Sequence, residues 1–195
     1  HQVGTWITKR SHEGNSVDVK IDLLVPEALG GPGRRGARLG VHGNKVARKV
    51  KGLEAAIVDH DVMTIESLDP QDHRRPQVRV AGITALLVAK LHKIADRQAD
   101  LERSRDKDAL DVLRLLRGAP AQAIADTFRK LSTDAMAAAV SREALGLLDS
   151  LFGKPAADGS RMAARAAEPL ENPETIAASC TALAGDVLSA IGKAS

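Results

Sequence analysis

PQVRVAGITALLVAKLHKIADR, residues 76–97, is where the chain changes character. The first seven residues end in a short strand bounded by Pro76 and Gly82. From Ile83 onward the apolar residues Ile83, Leu86, Leu87, Leu91 and Ile94 recur at helical spacing and define one stripe. Downstream of this switch everything reads as helix: Ile83–Arg97, Lys107–Arg117, Ala121–Leu131, Ala135–Phe152, a short segment around Arg161–Ala167, and Glu174–Ile191. Gly118 with Pro120 and Gly153 with Pro155 supply stop signals between them.

Upstream, the chain reads as strands. In VDVKIDLLV, Val17–Val25, the residues Val17, Val19, Ile21, Leu23 and Val25 alternate with Asp18, Lys20, Asp22 and Leu24, and Pro26 stops the run. GTWITKR, residues 4–10, is its expected antiparallel neighbour across the turn SHEGNS, where Gly14 and Asn15 suit a reversal. LEAAIVD and DVMTIES, flanking His60, read as a second hairpin, and Asn44–Lys51 reads as a short basic helix. The expectation is an α+β fold, with a mixed-sheet module over residues 1–81 and a helical bundle module over residues 82–195 packed against it.

Composition narrows the function classes. At 195 residues and 44% apolar, the chain can bury a core, yet aromatics make up 2%, namely Trp6, Phe128 and Phe152. Single-strand binding by base stacking has almost no material here. Cys180 is the single cysteine, which leaves no intrachain disulfide or multi-thiolate metal site. The sequence shows no apolar run near the length of a membrane span and no signal-peptide core in HQVGTWITKR, so a cytoplasmic protein without a membrane partner is expected. His1 is not an initiator residue, and the first segments read like the middle of a sheet. Sequence upstream of His1 is therefore expected.

Four carboxylates and two lysines stand out. Asp22 lies on the polar face of its strand with Asp18, where a carboxylate can bind a metal, accept a proton, or simply face solvent. Lys90 falls near the middle of an apolar stripe, and a buried ammonium needs an anionic partner, either a carboxylate of the protein or a phosphate. It is expected to meet Asp22, Asp108 or Asp111. His92 points away from that stripe and is expected in solvent. In RSRDKDALDVLRLLR, Asp106 occupies a helix N-cap position, Asp108 and Asp111 share a face, and Lys107 can pair with Asp111. Asp108 suits a site and dipole stabilisation equally.

The order of IDLLVP, then A-K-L-H-K, then K-D-x-x-D over residues 17–117 resembles the AbiEii-type nucleotidyltransferases of the polymerase-beta-like superfamily. The resemblance implies a partial nucleotidyltransferase-like sheet, a toxin-like enzyme that transfers a nucleotide from a nucleoside triphosphate to an RNA hydroxyl, transfer RNA among them, or to a protein hydroxyl, and an antitoxin protein as partner. It implies Mg2+ as cofactor with Asp22 as a metal ligand, Asp22, Lys90 and Asp108 as catalytic residues, and Lys90, Lys93 and Asp111 as nucleotide-binding residues. The family fold begins with Gly-Ser followed by D-x-D, and no such arrangement occurs in this chain. The alternatives are that those carboxylates lie upstream, or that the protein is an inactive relative serving as an NTP-binding, RNA-binding or protein-interaction module.

Gly31–Lys51 contains seven cations, Arg34, Arg35, Arg38, Lys45, Arg48, Lys49 and Lys51, and no acid. Such a one-sided stretch suits RNA or triphosphate phosphates, with Arg34, Arg35 and Arg38 as the expected contacts, or else forms a solvated loop. GGPGRRG lacks the Lys-Ser/Thr ending of a P-loop.

Overall fold

A computed structural model of the chain describes residues 2–12, 14–96 and 106–192. The fold is α+β, with small sheets in the N-terminal part and a helical C-terminal region. The strands are β1 (Thr5–His12), β2 (Asn15–Asp22), β3 (Leu24–Pro26), β4 (Arg48–Val50), β5 (His60–Thr64) and β6 (Gln77–Ala81). They form three separate two-stranded ribbons: β1–β2 and β5–β6 antiparallel, β3–β4 parallel. The helices are α1 (Ala55–Val58), α2 (Ile83–Asp96), α3 (Asp106–Arg117), α4 (Ala121–Thr133), α5 (Ala138–Phe152), α6 (Asp158–Ala167) and α7 (Pro173–Gly192). Arg97, the expected end of α2, lies outside the described residues.

The helix boundaries follow local chemistry. Asp59 accepts a bond from the Ala85 N–H at 2.7 Å, so a side chain from the preceding segment satisfies one of the orphan donors of α2. This carboxylate sits where a Cβ on Gly82 would fall 2.1 Å from its Oδ1, so the strand-to-helix switch needs glycine there. Asp134 takes the Met136 and Ala137 N–H groups ahead of α5, which delays that helix to Ala138. Asn172 accepts from the Thr175 N–H and caps α7.

The core is helical. Leu87, Val88, Leu91 and Ile94 of α2 meet Val112, Leu113 and Leu116 of α3, Ile124, Phe128 and Leu131 of α4, and Leu148, Leu151 and Phe152 of α5 in one cluster. Small residues line α6 and α7, including Ala163, Ala164, Ala167 and Ala184, and let α6 lie between α3 and α7. Helix α7 corrects the reading that no apolar run approaches a membrane span: its 20 residues include a window of mean hydropathy 1.4. Ile176, Ala177, Cys180, Ala184 and Val187 form its buried face, and burial pushes the Cys180 thiol up to about 11.

Two segments depart from the sequence expectation. LEAAIVD is not a strand, because residues 55–58 form α1 against α2 and only the following segment pairs, as β5 with β6. Glu54 explains the outcome: it is 2% exposed, and its carboxylate accepts the Ala28 N–H at 3.0 Å and the Gly52 N–H at 2.8 Å, which ties the turn at Ala28 to the turn at Gly52. Asn44–Lys51 is not a helix either. Arg48–Val50 is a strand, with the Arg48 N–H donating to Leu23 and the Lys49 N–H to Arg35. Gly52, at φ +92°, then brings the backbone against α2, where a Cβ would stand 2.8 Å from the His92 ring.

Glu54→Ala should destabilise the protein by about 2–4 kcal/mol, since the buried Gly52 N–H and the partly buried Ala28 N–H lose their acceptor. Urea denaturation followed by circular dichroism checks this; a loss below about 0.5 kcal/mol would show that Glu54 does not hold the segment.

Candidate functional site

Helices α2 and α3 pack side by side and bring two lysines onto two aspartates. The Lys90 ammonium donates to Asp108 at 2.8 Å and to Asp111 at 2.7 Å, and Lys93 donates to Asp108 at 2.7 Å. Asp111 also accepts from Arg114 at 3.1 Å. The side chain of Asp108 is 7% exposed, against 24% for Asp111, 27% for Lys90 and 38% for Lys93, so Asp108 is the buried centre and the other three lie toward solvent.

Burial by itself would raise the Asp108 and Asp111 carboxyls, but the lysine bonds, joined at Asp111 by Arg114, outweigh it and hold both below the usual range. Burial likewise works against the charge on Lys90, and its two carboxylates overcome this and raise its pKa. Lys90, Asp108 and Asp111 are thus held in their ionised forms at neutral pH. The cluster's two lysines are compact charges on flexible stems, able to turn from a carboxylate to a phosphate oxygen.

No family model, curated protein or solved structure matches this chain.

Of the expected site residues, Lys90, Lys93, Asp108 and Asp111 come together. Asp22 does not join them: it lies on the exposed ribbon, accepts the Thr5 hydroxyl at 2.6 Å, and makes no ion pair with Lys90 among the described residues. Three neighbouring expectations need correction. His92 is buried rather than solvent-facing, with Nε2 2.8 Å from the Val140 carbonyl and Nδ1 3.8 Å from Glu143. The buried face of α2 runs through Thr84, Val88, Leu91 and His92, which leaves Leu86 exposed and Lys90 at its margin. The i to i+4 spacing of Val88 and His92 was the signal for this. Asp111 pairs with Lys90 and Arg114 rather than Lys107, and Asp106 accepts two bonds from Arg165 of α6, at 2.9 and 2.8 Å.

The basic segment divides into structural and open cations. Lys49 reaches back to the Gly31 carbonyl at 2.8 Å and to the Gly33 carbonyl, and Lys51 bonds Glu143 of α5 at 2.8 Å. Arg48 is half-buried in its strand. Arg34, Arg35, Arg38 and Lys45 are exposed and form no ion pair among the described residues. Backbone bonds from Arg38 to Gly30, Ala37 to Ala47 and Leu39 to Gly43 lace the loop that presents them.

The ion cluster should leave a pH signature. The depressed carboxyls contribute stability that is present above the ordinary aspartate value of 3.8 and is lost as pH falls through their lower folded values. The raised Lys90 contributes below its ordinary 10.5, and that part is lost as pH rises through its higher folded value. Lys90→Met should cost about 3 kcal/mol at pH 7, because it leaves a buried carboxylate with one lysine fewer, and should flatten the acid limb. Urea midpoints from pH 2 to 11 test this; parallel acid limbs would disconnect Lys90 from the carboxyls.

The four open cations should bind phosphates without sequence preference, since they offer charge and no base-reading cluster. Fluorescence anisotropy with transfer RNA should show affinity falling steeply with salt, and Arg34→Glu, Arg35→Glu and Arg38→Glu together should weaken all RNAs alike and reduce the salt slope. Equal affinity and equal slope would leave the loop merely solvated.

Proposed function

We propose that the protein is nucleotidyltransferase-like and toxin-like, acting in transfer of a nucleotide from a nucleoside triphosphate to an RNA or protein hydroxyl. The observation that supports this reading is the meeting of the A-K-L-H-K lysines with the K-D-x-x-D aspartates in one partly buried cluster. In this reading Lys90 and Lys93 turn from their carboxylates to the phosphate oxygens. Asp108 and Asp111 favour the charged form of the Lys90 ammonium, and the exposed arginines of residues 34–38 take the RNA backbone.

Magnesium is the cofactor that the resemblance implies, and the residues do not fit it. Among the described residues no three His, Cys, Asp or Glu side chains gather as a metal site, and Asp22 stands apart with Thr5. No step is therefore assigned to the ion. The same incomplete donor set favours a second reading, an inactive relative that retains triphosphate or RNA binding or serves as a protein-interaction module.

Titration calorimetry with ATP should detect binding that Lys93→Ala and Lys90→Met each weaken about tenfold, equivalent to about 1.4 kcal/mol. Arg161→Ala, on α6, should leave it unchanged. Equal affinity in all four proteins would remove the cluster as the triphosphate site. Incubation with labelled triphosphates, magnesium and bulk transfer RNA separates the two readings. Binding without incorporation by this chain would favour the inactive reading, whereas incorporation that disappears in Asp22→Asn would give Asp22 a metal role and retire it.

A further inference from the structure

The ribbon β1–β2 leaves one edge of β2 open. β1 pairs with β2 along its whole length, from Thr5 opposite Asp22 to His12 opposite Asn15, and among the described residues no other strand is hydrogen-bonded to β2. Every residue of β2 is exposed. A two-stranded ribbon is marginal in water, and an unpaired edge is a template for another strand unless charge or shape blocks it.

This edge carries charge, but in a self-complementary pattern. Its centre reads Val17-Asp18-Val19-Lys20-Ile21. Laid antiparallel against itself with Val19 opposite Val19, it sets Asp18 opposite Lys20 and Val17 opposite Ile21 at both ends of the twofold. Apolar residues then meet apolar residues on one face, and opposite charges meet on the other. Moving the centre one residue in either direction sets Asp18 on Asp18 or Lys20 on Lys20, which like-charge repulsion disfavours, so the pattern selects one register.

The existing ribbon extends the match. Lys9 of β1 lies directly opposite Asp18, so pairing would run a row Lys9, Asp18, Lys20 of the second copy across the polar face. On the other face Trp6 lies opposite Ile21 and Thr8 opposite Val19. Trp6, Val17, Val19 and Ile21 are 52%, 44%, 40% and 50% exposed, and a second copy would join its own set to them in a continuous apolar surface.

We propose that two copies of this chain associate through the open edges of β2, antiparallel about a twofold at Val19, to form a four-stranded sheet in the order β1-β2-β2-β1. Such an isologous contact closes on itself and stops at a dimer. The assembly is independent of the nucleotide reading, and either can fail without the other.

Sedimentation equilibrium over a concentration series tests it. The wild-type chain should approach twice its 20.6 kDa mass. Asp18→Lys and Lys20→Asp should each dissociate at least tenfold more readily, because each sets like charges opposite one another. A one-to-one mixture of the two variants should recover the dimer, as should the doubly exchanged Asp18→Lys/Lys20→Asp chain on its own. Circular dichroism verifies that the variants keep their helices. A wild-type chain at monomer mass throughout, single variants as tightly dimeric as wild type, or a mixture that stays monomeric would each overturn the proposal.

Discussion

Helix α2 cannot bury its apolar face without placing Lys90 and Lys93 beside α3, and that constraint organises the molecule. Leu87, Val88, Leu91 and Ile94 supply the hydrophobic drive, and α3 answers with Val112, Leu113 and Leu116. The two lysines flank this contact, so α3 must present anions there, which it does with Asp108 and Asp111. A buried ion pair contributes little net stability compared with an apolar filling, but removing one partner is costly. The cluster therefore fixes how α2 and α3 register.

The strand-rich part hangs on the same helix. Asp59 reaches the first turn of α2, Gly52 lets the backbone approach His92, and Lys51 crosses to Glu143 of α5. None of these contacts is a hydrophobic core in the ordinary sense. The ribbons expose Val62, Met63, Ile65 and both faces of β1–β2 while every large apolar residue of the core cluster belongs to a helix. Polar bonds and short turns, rather than sheet-on-helix packing, position the N-terminal part.

The helical half was legible because each helix is long, periodic and bounded by Gly, Pro or a capping side chain, as at Gly118 and Gly153. So was the meeting of Lys90 with Asp108 and Asp111, since a lysine beside an apolar stripe must find an anion. What failed were short segments whose state depends on distant partners. Residues 55–58 are helical because Glu54 gathers N–H groups from Ala28 and Gly52, which no local pattern reveals. Residues 48–50 are extended because Leu23 and Arg35 offer carbonyls, while Val46 and Val50, four apart, carry the helical spacing. His92 faces inward because the buried stripe of α2 runs through Val88 and not through the exposed Leu86.

Trp6 makes this division directly observable. It is the single tryptophan, the chain has no tyrosine, and its indole N–H donates to the Val46 carbonyl at 3.0 Å, outside the helical core. Indole emission therefore follows the docking of the first ribbon onto the β4 segment, while the far-ultraviolet signal follows the helices. Two optical probes thus separate the two halves without any label, and the spacing between their unfolding midpoints measures how strongly the ribbon and the bundle cooperate.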